Sequence, residues 1–143
     1  MSYTRILVAY DGSAPADKAL EQAIMLARDN EAAQLEVIHV YSQPIVVLAD
    51  GVYYPPADQE QAIREHAQSV VDKAAGKVRS IPNGKVILRI GNPAKIIVER
   101  AEETRCDLIV IGNRGHGAFM EHVLGSVSHN VVQHAKASVL IVK

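Results

Sequence analysis

The sequence predicts one doubly wound α/β domain, a five-stranded parallel sheet with helices on both faces. Three observations lead there. Apolar strand-like runs alternate with amphipathic helical stripes from end to end, a pattern that requires crossover connections. The strand candidates are continuously apolar, as in strands buried on both faces. Finally, 143 residues without linker, repeat or low-complexity tract suit one domain, residues 1–143, large enough to hold a core.

Arg5-Ile6-Leu7-Val8-Ala9-Tyr10 reads as the first strand. Asp11-Gly12-Ser13 breaks it, with Ser13 as N-cap of a helix whose apolar stripe is Ala16, Ala19, Leu20, Ala23, Ile24 and Ala27. Leu35 to Tyr41 is the second strand. Residues 42–56 carry Ile45-Val46-Val47-Leu48, Tyr53, Tyr54 and Pro55-Pro56, and the prolines make a long loop the expected form. Leaving the carboxyl end of the second strand, this loop is expected to be a lid or a partner surface. A helix follows from about Asp58 to Arg79, with Ile63, Ala67, Val70, Val71 and Ala74 on its apolar side. Lys85 to Ile90 is the third strand; Asn92-Pro93 supplies an N-cap and a first-position proline for a helix reaching about Thr104. Leu108 to Ile111, Ser126 to Ala135 and Val139 to Val142 complete the series as strand, helix and strand.

Composition excludes several classes. The net charge of −1 and the scarce aromatics, 4% of residues, argue against a nucleic-acid partner. No apolar run approaches a membrane span and the amino terminus lacks a secretion signal, so a soluble cytoplasmic protein is expected. The single cysteine, Cys106, rules out an internal disulfide and a cysteine-based zinc site, and reads as an inert core thiol. His122, His129 and His134 lack the spacing of a compact metal set and read as solvated or capping residues.

The most informative stretch is Ile109-Val110-Ile111-Gly112-Asn113-Arg114-Gly115-His116-Gly117, followed by Gly125-Ser126-Val127-Ser128. A strand runs into closely spaced glycines, and a Gly-Ser pair opens a helix. Glycines admit close backbone approach, and a helix amino terminus adds unpaired N–H groups and partial positive charge, which together make an anion cradle. A tight turn and capped helix without ligand is the alternative. No lysine separates Gly125 from Ser126, which excludes a P-loop. The glycine order is also reversed for a dinucleotide fingerprint, and Val131, Val132 and Gln133 stand about 20 residues on, where that fingerprint needs an acid.

The spacing Gly112, two residues, Gly115, nine residues, Gly125-Ser126 resembles the ATP-binding pattern of the universal stress protein family. The resemblance covers essentially the whole chain, including the opening Ile-Leu-Val-Ala-Tyr-Asp11-Gly-Ser, Cys106-Asp107-Leu-Ile-Val-Ile-Gly112 and the closing Ala-Ser-Val-Leu-Ile-Val. It implies a Rossmann-like, adenine nucleotide α-hydrolase-like sheet in the order 3-2-1-4-5. It also implies an adenine nucleotide, ATP or else ADP or AMP, flanked by Ala9 and Asp11 and met at the base by the backbone of Val40. Gly112, Asn113, Arg114, Gly115, His116 and Gly117 would line the ribose and phosphate path. Gly125, Ser126, Val127 and Ser128 would hold phosphate oxygens through N–H groups and hydroxyls. A Mg²⁺ or Mn²⁺ on the phosphates would find Asp11 as its nearest carboxylate.

A homodimer pairing the last strands, Val139 to Val142, across a twofold axis follows from the same resemblance, and an unblocked apolar edge invites it. With no evident catalytic set, the expected role is a nucleotide-binding regulatory module in a stress response, acting through protein partners. A slow ATPase or self-phosphorylating enzyme using His116 or Ser128 is one alternative. A nucleotide-free dimerisation module is the other.

Overall fold

The computed structural model describes residues 2–115 and 124–143. In these the chain runs β1 (Arg5–Ala9), α1 (Ala14–Arg28), β2 (Gln34–Tyr41), β3 (Val46–Leu48), β4 (Gly51–Tyr53), α2 (Ala57–Val78), β5 (Gly84–Ile90), α3 (Pro93–Glu103), β6 (Leu108–Gly112), α4 (Ser126–His134) and β7 (Ser138–Val142). The strands β5-β2-β1-β6-β7 form one sheet in that order, every neighbouring pair parallel. Counted among these five, the order is 3-2-1-4-5, as the resemblance implied.

Alternate residues of the central strands feed two cores, as the two-residue period of a strand requires. Ile6, Val8, Leu35, Val37, Leu108 and Val110 pack under α1 and α2. Leu7, Ala9, Ile38, Val40, Ile109 and Ile111 pack under α3 and α4. The six-residue stripe of α1 is buried in full. On α2 the buried residues are Ala67, Val70, Ala74 and Val78, while Ile63 and Val71 are only partly covered. Ser13 and Asn92 cap α1 and α3 by accepting from Ala16 N–H (3.3 Å) and Lys95 N–H (3.1 Å).

Residues 42–56 depart from the expected loop. Val46–Leu48 and Gly51–Tyr53 pair antiparallel as a hairpin, with Val47 opposite Val52. Pro44 and Pro55-Pro56 lie outside the paired residues and remove no ladder donor, so they bound the hairpin instead of preventing it. Gly51, at φ +152°, takes the backbone out of the two-residue turn.

A carboxylate of the central sheet is also shielded from solvent. Glu36 of β2 is only 7% exposed and receives two hydrogen bonds from Arg100 of α3, Nε at 2.9 Å and Nη2 at 2.6 Å, with Lys85 Nζ at 3.4 Å. Burial disfavours the charged carboxylate, but Arg100, with Lys85 beyond, holds its pKa below the usual range. Half-buried Cys106 is different: burial, with Asp107 adding to it, pushes its thiol up to about 11, leaving it protonated and unreactive near neutrality.

Candidate functional site

Two cavities open at opposite ends of the sheet. The one at the amino ends, about 360 Å³, is lined by Arg5, Glu36, Lys85 and Cys106 among others, and its carboxylate is already paired with Arg100. The larger one, about 560 Å³, lies at the carboxyl ends of β1, β2 and β6, where a doubly wound sheet binds its ligands.

The pairing of β1 with β6, Ala9 opposite Ile111, sets two turns side by side at this end. The first is Asp11-Gly12-Ser13. Asp11 Oδ1 accepts from the Ser13 N–H at 2.9 Å and the Ser13 hydroxyl at 2.5 Å, and Gly12 takes the positive φ of +82° that the turn needs. Asp11 thus caps its own turn and lines the cleft as well.

The second turn carries the motif glycines. Gly112, Gly115 and Gly125 are not among the positive-φ residues, so close approach is what two of them serve. A Cβ on Gly112 would stand 2.8 Å from Pro15 Cβ, which makes this glycine the seat of the first turn of α1 against β6. A Cβ on Gly115 would overlap Asp11 Oδ2. At Gly125 a Cβ would meet only ordinary contacts, the nearest being Arg114 Cα at 3.4 Å.

Asn113 joins the elements around the turn. Its N–H donates to Val142 O at 2.8 Å, and its carbonyl accepts from Gly125 N–H at 2.7 Å and the Ser128 hydroxyl at 2.9 Å. Ser128, 3% exposed, also lies 3.2 Å from Gly125 O, so its hydroxyl faces backbone carbonyls. The start of α4 has Gly125 as N-cap and, among the described residues, no side-chain cap, unlike α1 and α3. Ser126, Val127 and Ser128 line the cleft at this amino terminus, where a helix offers unpaired N–H groups and positive potential.

Of the residues expected at the site, Ala9, Asp11, Val40, Gly112, Arg114, Gly115, Gly125, Ser126, Val127 and Ser128 all line this cleft. Asn113 stands behind it as a backbone brace, and His116 and Gly117 lie outside the described residues. Sequence reasoning missed His39, His66, Pro93 and Ile97, which also line it. Pro93 and Ile97 open α3 just beyond the carboxyl end of β5, and the Asn92-Pro93 signal at a strand end was the available clue. His39, 7% exposed, sits beside Val40 with Nδ1 2.8 Å from Tyr10 O; a carbonyl only accepts, so Nδ1 carries the proton.

Behind the first turn, the Tyr10 hydroxyl donates to Asp17 at 2.5 Å. Lys73 and Lys77 of α2 reach Asp17 at 3.0 and 2.9 Å, and Lys73 also donates to Gly12 O at 3.3 Å. Burial works against the Asp17 carboxylate, but these hydrogen bonds and charges hold its pKa at about 2. Burial and Asp17 together raise that of the Tyr10 hydroxyl. Among the described residues no group of three His, Cys, Asp or Glu side chains could hold a metal ion, and no helix is long and apolar enough to cross a membrane.

Comparison with known proteins bears on this arrangement. The chain is 34% identical over 151 aligned positions to universal stress protein YxiE of Bacillus subtilis, covering 99% of each sequence. Universal stress protein UspA from Lactobacillus plantarum superposes with a TM-score of 0.83 at 27% identity, over 100% of this chain and 99% of that one. A universal stress protein crystallised in complex with cAMP superposes with a TM-score of 0.72 at 25% identity, over 100% and 99%. The profile of the universal stress protein family matches residues 2–143, and the chain belongs to that family.

Proposed function

We propose that this chain binds an adenine nucleotide, ATP among them, in the carboxyl-end cleft and serves as a cytoplasmic regulatory module whose occupancy is read by protein partners. The observation that carries this reading is the amino terminus of α4, which has no side-chain cap among the described residues and faces the same cleft as the apolar side chains of Val40 and Ile97. The N–H groups suit phosphate and the apolar wall suits a base. A relative crystallised with cAMP supports the same ligand class. Asp11 is the one carboxylate among the described lining residues and is where a Mg²⁺ or Mn²⁺ carried by the phosphates would bind.

Binding without turnover is the stronger reading. Ser128, one of the two residues considered for phosphate transfer, has its hydroxyl engaged by the carbonyls of Asn113 and Gly125. Extraction of the purified protein and mass identification of any released nucleotide tests the ligand. Incubation with labelled ATP and Mg²⁺ tests the chemistry: steady multiple turnover abolished by His116→Ala would replace this reading with an enzyme.

The reading includes a homodimer through β7. This strand is an outer strand of the sheet, Leu140 is 36% exposed, and no charged residue interrupts Ser138–Val142. The opposite outer strand, β5, carries exposed Lys85 and Arg89, which discourage strand pairing. Loss of the dimer in Leu140→Glu, read by sedimentation, is the expected result.

A further inference from the structure

One peptide unit in the turn after β1 is held from both sides. It joins Gly12 to Ser13, and because it is trans and planar its carbonyl and its N–H point in opposite directions. The N–H donates to Asp11 Oδ1 at 2.9 Å, within the turn. The carbonyl accepts from Lys73 Nζ of α2 at 3.3 Å. Lys73 and Lys77 share one face of α2, and both meet Asp17, at 3.0 and 2.9 Å. Only Lys73 of the two also reaches the Gly12 carbonyl. Asp17 keeps Lys77 and the Tyr10 hydroxyl without it, so the tie to the turn is what Lys73 adds. His66, about two turns earlier on the same face, lines the cleft, so this side of α2 borders the site.

We propose that Lys73 is a positioning residue of the nucleotide site: acting through the Gly12–Ser13 peptide, its ammonium holds the Asp11 carboxylate in place in the cleft. The inference rests on the nucleotide reading above, because a ligand in the cleft is what would feel Asp11 move. Two physical effects carry it. Fixing the oxygen of a planar unit fixes its N–H as well, and Gly12, at φ +82°, has more backbone freedom to lose than any other residue type. A cation bonded to the carbonyl also polarises the amide, which makes the opposite N–H a stronger donor to Asp11. The carboxylate held this way has its other oxygen against Gly115, between the two turns that border the cleft. Lys73 does not itself line the cleft, so it sets nucleotide affinity from α2, outside the site.

ATP titration of the wild type, Lys73→Met, Lys73→Arg and Lys77→Met, each with its urea midpoint, tests this. Both methionine variants take one cation from Asp17 and are expected to lose similar stability. Lys73→Met is expected to bind ATP about three- to tenfold more weakly, and Lys77→Met as tightly as the wild type. Lys73→Arg, which keeps the charge, should recover most of the loss. In an Asp11→Asn background, Lys73→Met should have no further effect on affinity. Hydrogen exchange of the nucleotide-free protein gives a second readout: the Ser13 amide should exchange faster in Lys73→Met and not in Lys77→Met. Equal affinities of the two methionine variants, full additivity with Asp11→Asn, or a Ser13 amide unchanged by Lys73→Met would each overturn the proposal. No binding by the wild type would overturn the nucleotide reading instead, with the Ser13 amide still deciding whether Lys73 holds the turn.

Discussion

The carboxylate of Asp11 lies so close to Gly115 that a methyl group at residue 115 would overlap its Oδ2. The contact joins the turn after β1 to the turn after β6, two segments about a hundred residues apart in sequence that the β1–β6 pairing brings together. The absence of a side chain at residue 115 therefore bears on two things at once: the room in the cleft and the position of its one described carboxylate.

Gly112 makes a different prediction from Gly115. A Cβ there meets Pro15 at 2.8 Å to its Cβ and 2.9 Å to its carbonyl carbon, so backbone as well as side chain must move. Gly112→Ala is expected to destabilise the fold by about 1–3 kcal/mol, the usual cost of overpacking. The urea midpoint measures it. Full stability would mean that α1 and β6 are not packed as described.

The Glu36–Arg100 pair is partly buried and doubly hydrogen-bonded. Arg100→Met leaves Glu36 without its main partner and is expected to cost about 1–3 kcal/mol. The double variant Glu36→Leu with Arg100→Met should recover most of that loss, because a buried ion pair itself contributes little net stability. Equal instability of single and double variants in chemical denaturation would contradict this.

Asp17 sets an acid dependence. Its folded pKa of about 2 lies below the ordinary 3.8, so the stability it contributes is present above about pH 4 and disappears as pH falls through 2. With solvent screening of the lysines, the contribution is on the order of 1 kcal/mol. The urea midpoint of the wild type should fall more steeply between pH 4 and pH 2 than that of Asp17→Asn, and parallel curves would contradict the assignment.

Ser128→Ala removes the hydroxyl that holds α4 to the end of β6. The expected cost is about 1 kcal/mol of stability, together with a several-fold weaker grip on nucleotide as the amino terminus of α4 loses its brace. Denaturation and titration of the same sample check both.

Much of this was legible in the sequence because it is local. The α1 stripe, the caps Ser13 and Asn92, and the five strands of the main sheet follow from periodicity and cap chemistry. The hairpin was not: three prolines mask a strand signal until it is known that they fall outside the ladder. The seating of Gly112 on Pro15 was also hidden, since spacing cannot say which helix touches a strand end. The same limit hid His39, His66, Pro93 and Ile97, which reach the cleft from three elements. The glycine spacing pointed to a segment that does line the carboxyl-end cleft and suggested a phosphate cradle, whereas two of its glycines serve close contacts within the protein itself.

Calorimetric titration of ATP into the wild type and into Gly115→Val, side by side, tests the central claim most directly. The account predicts one nucleotide per chain for the wild type and at least tenfold weaker binding for the variant, whose side chain both fills the cleft and displaces Asp11. Equal affinity in the two proteins, or no heat with the wild type, would contradict it.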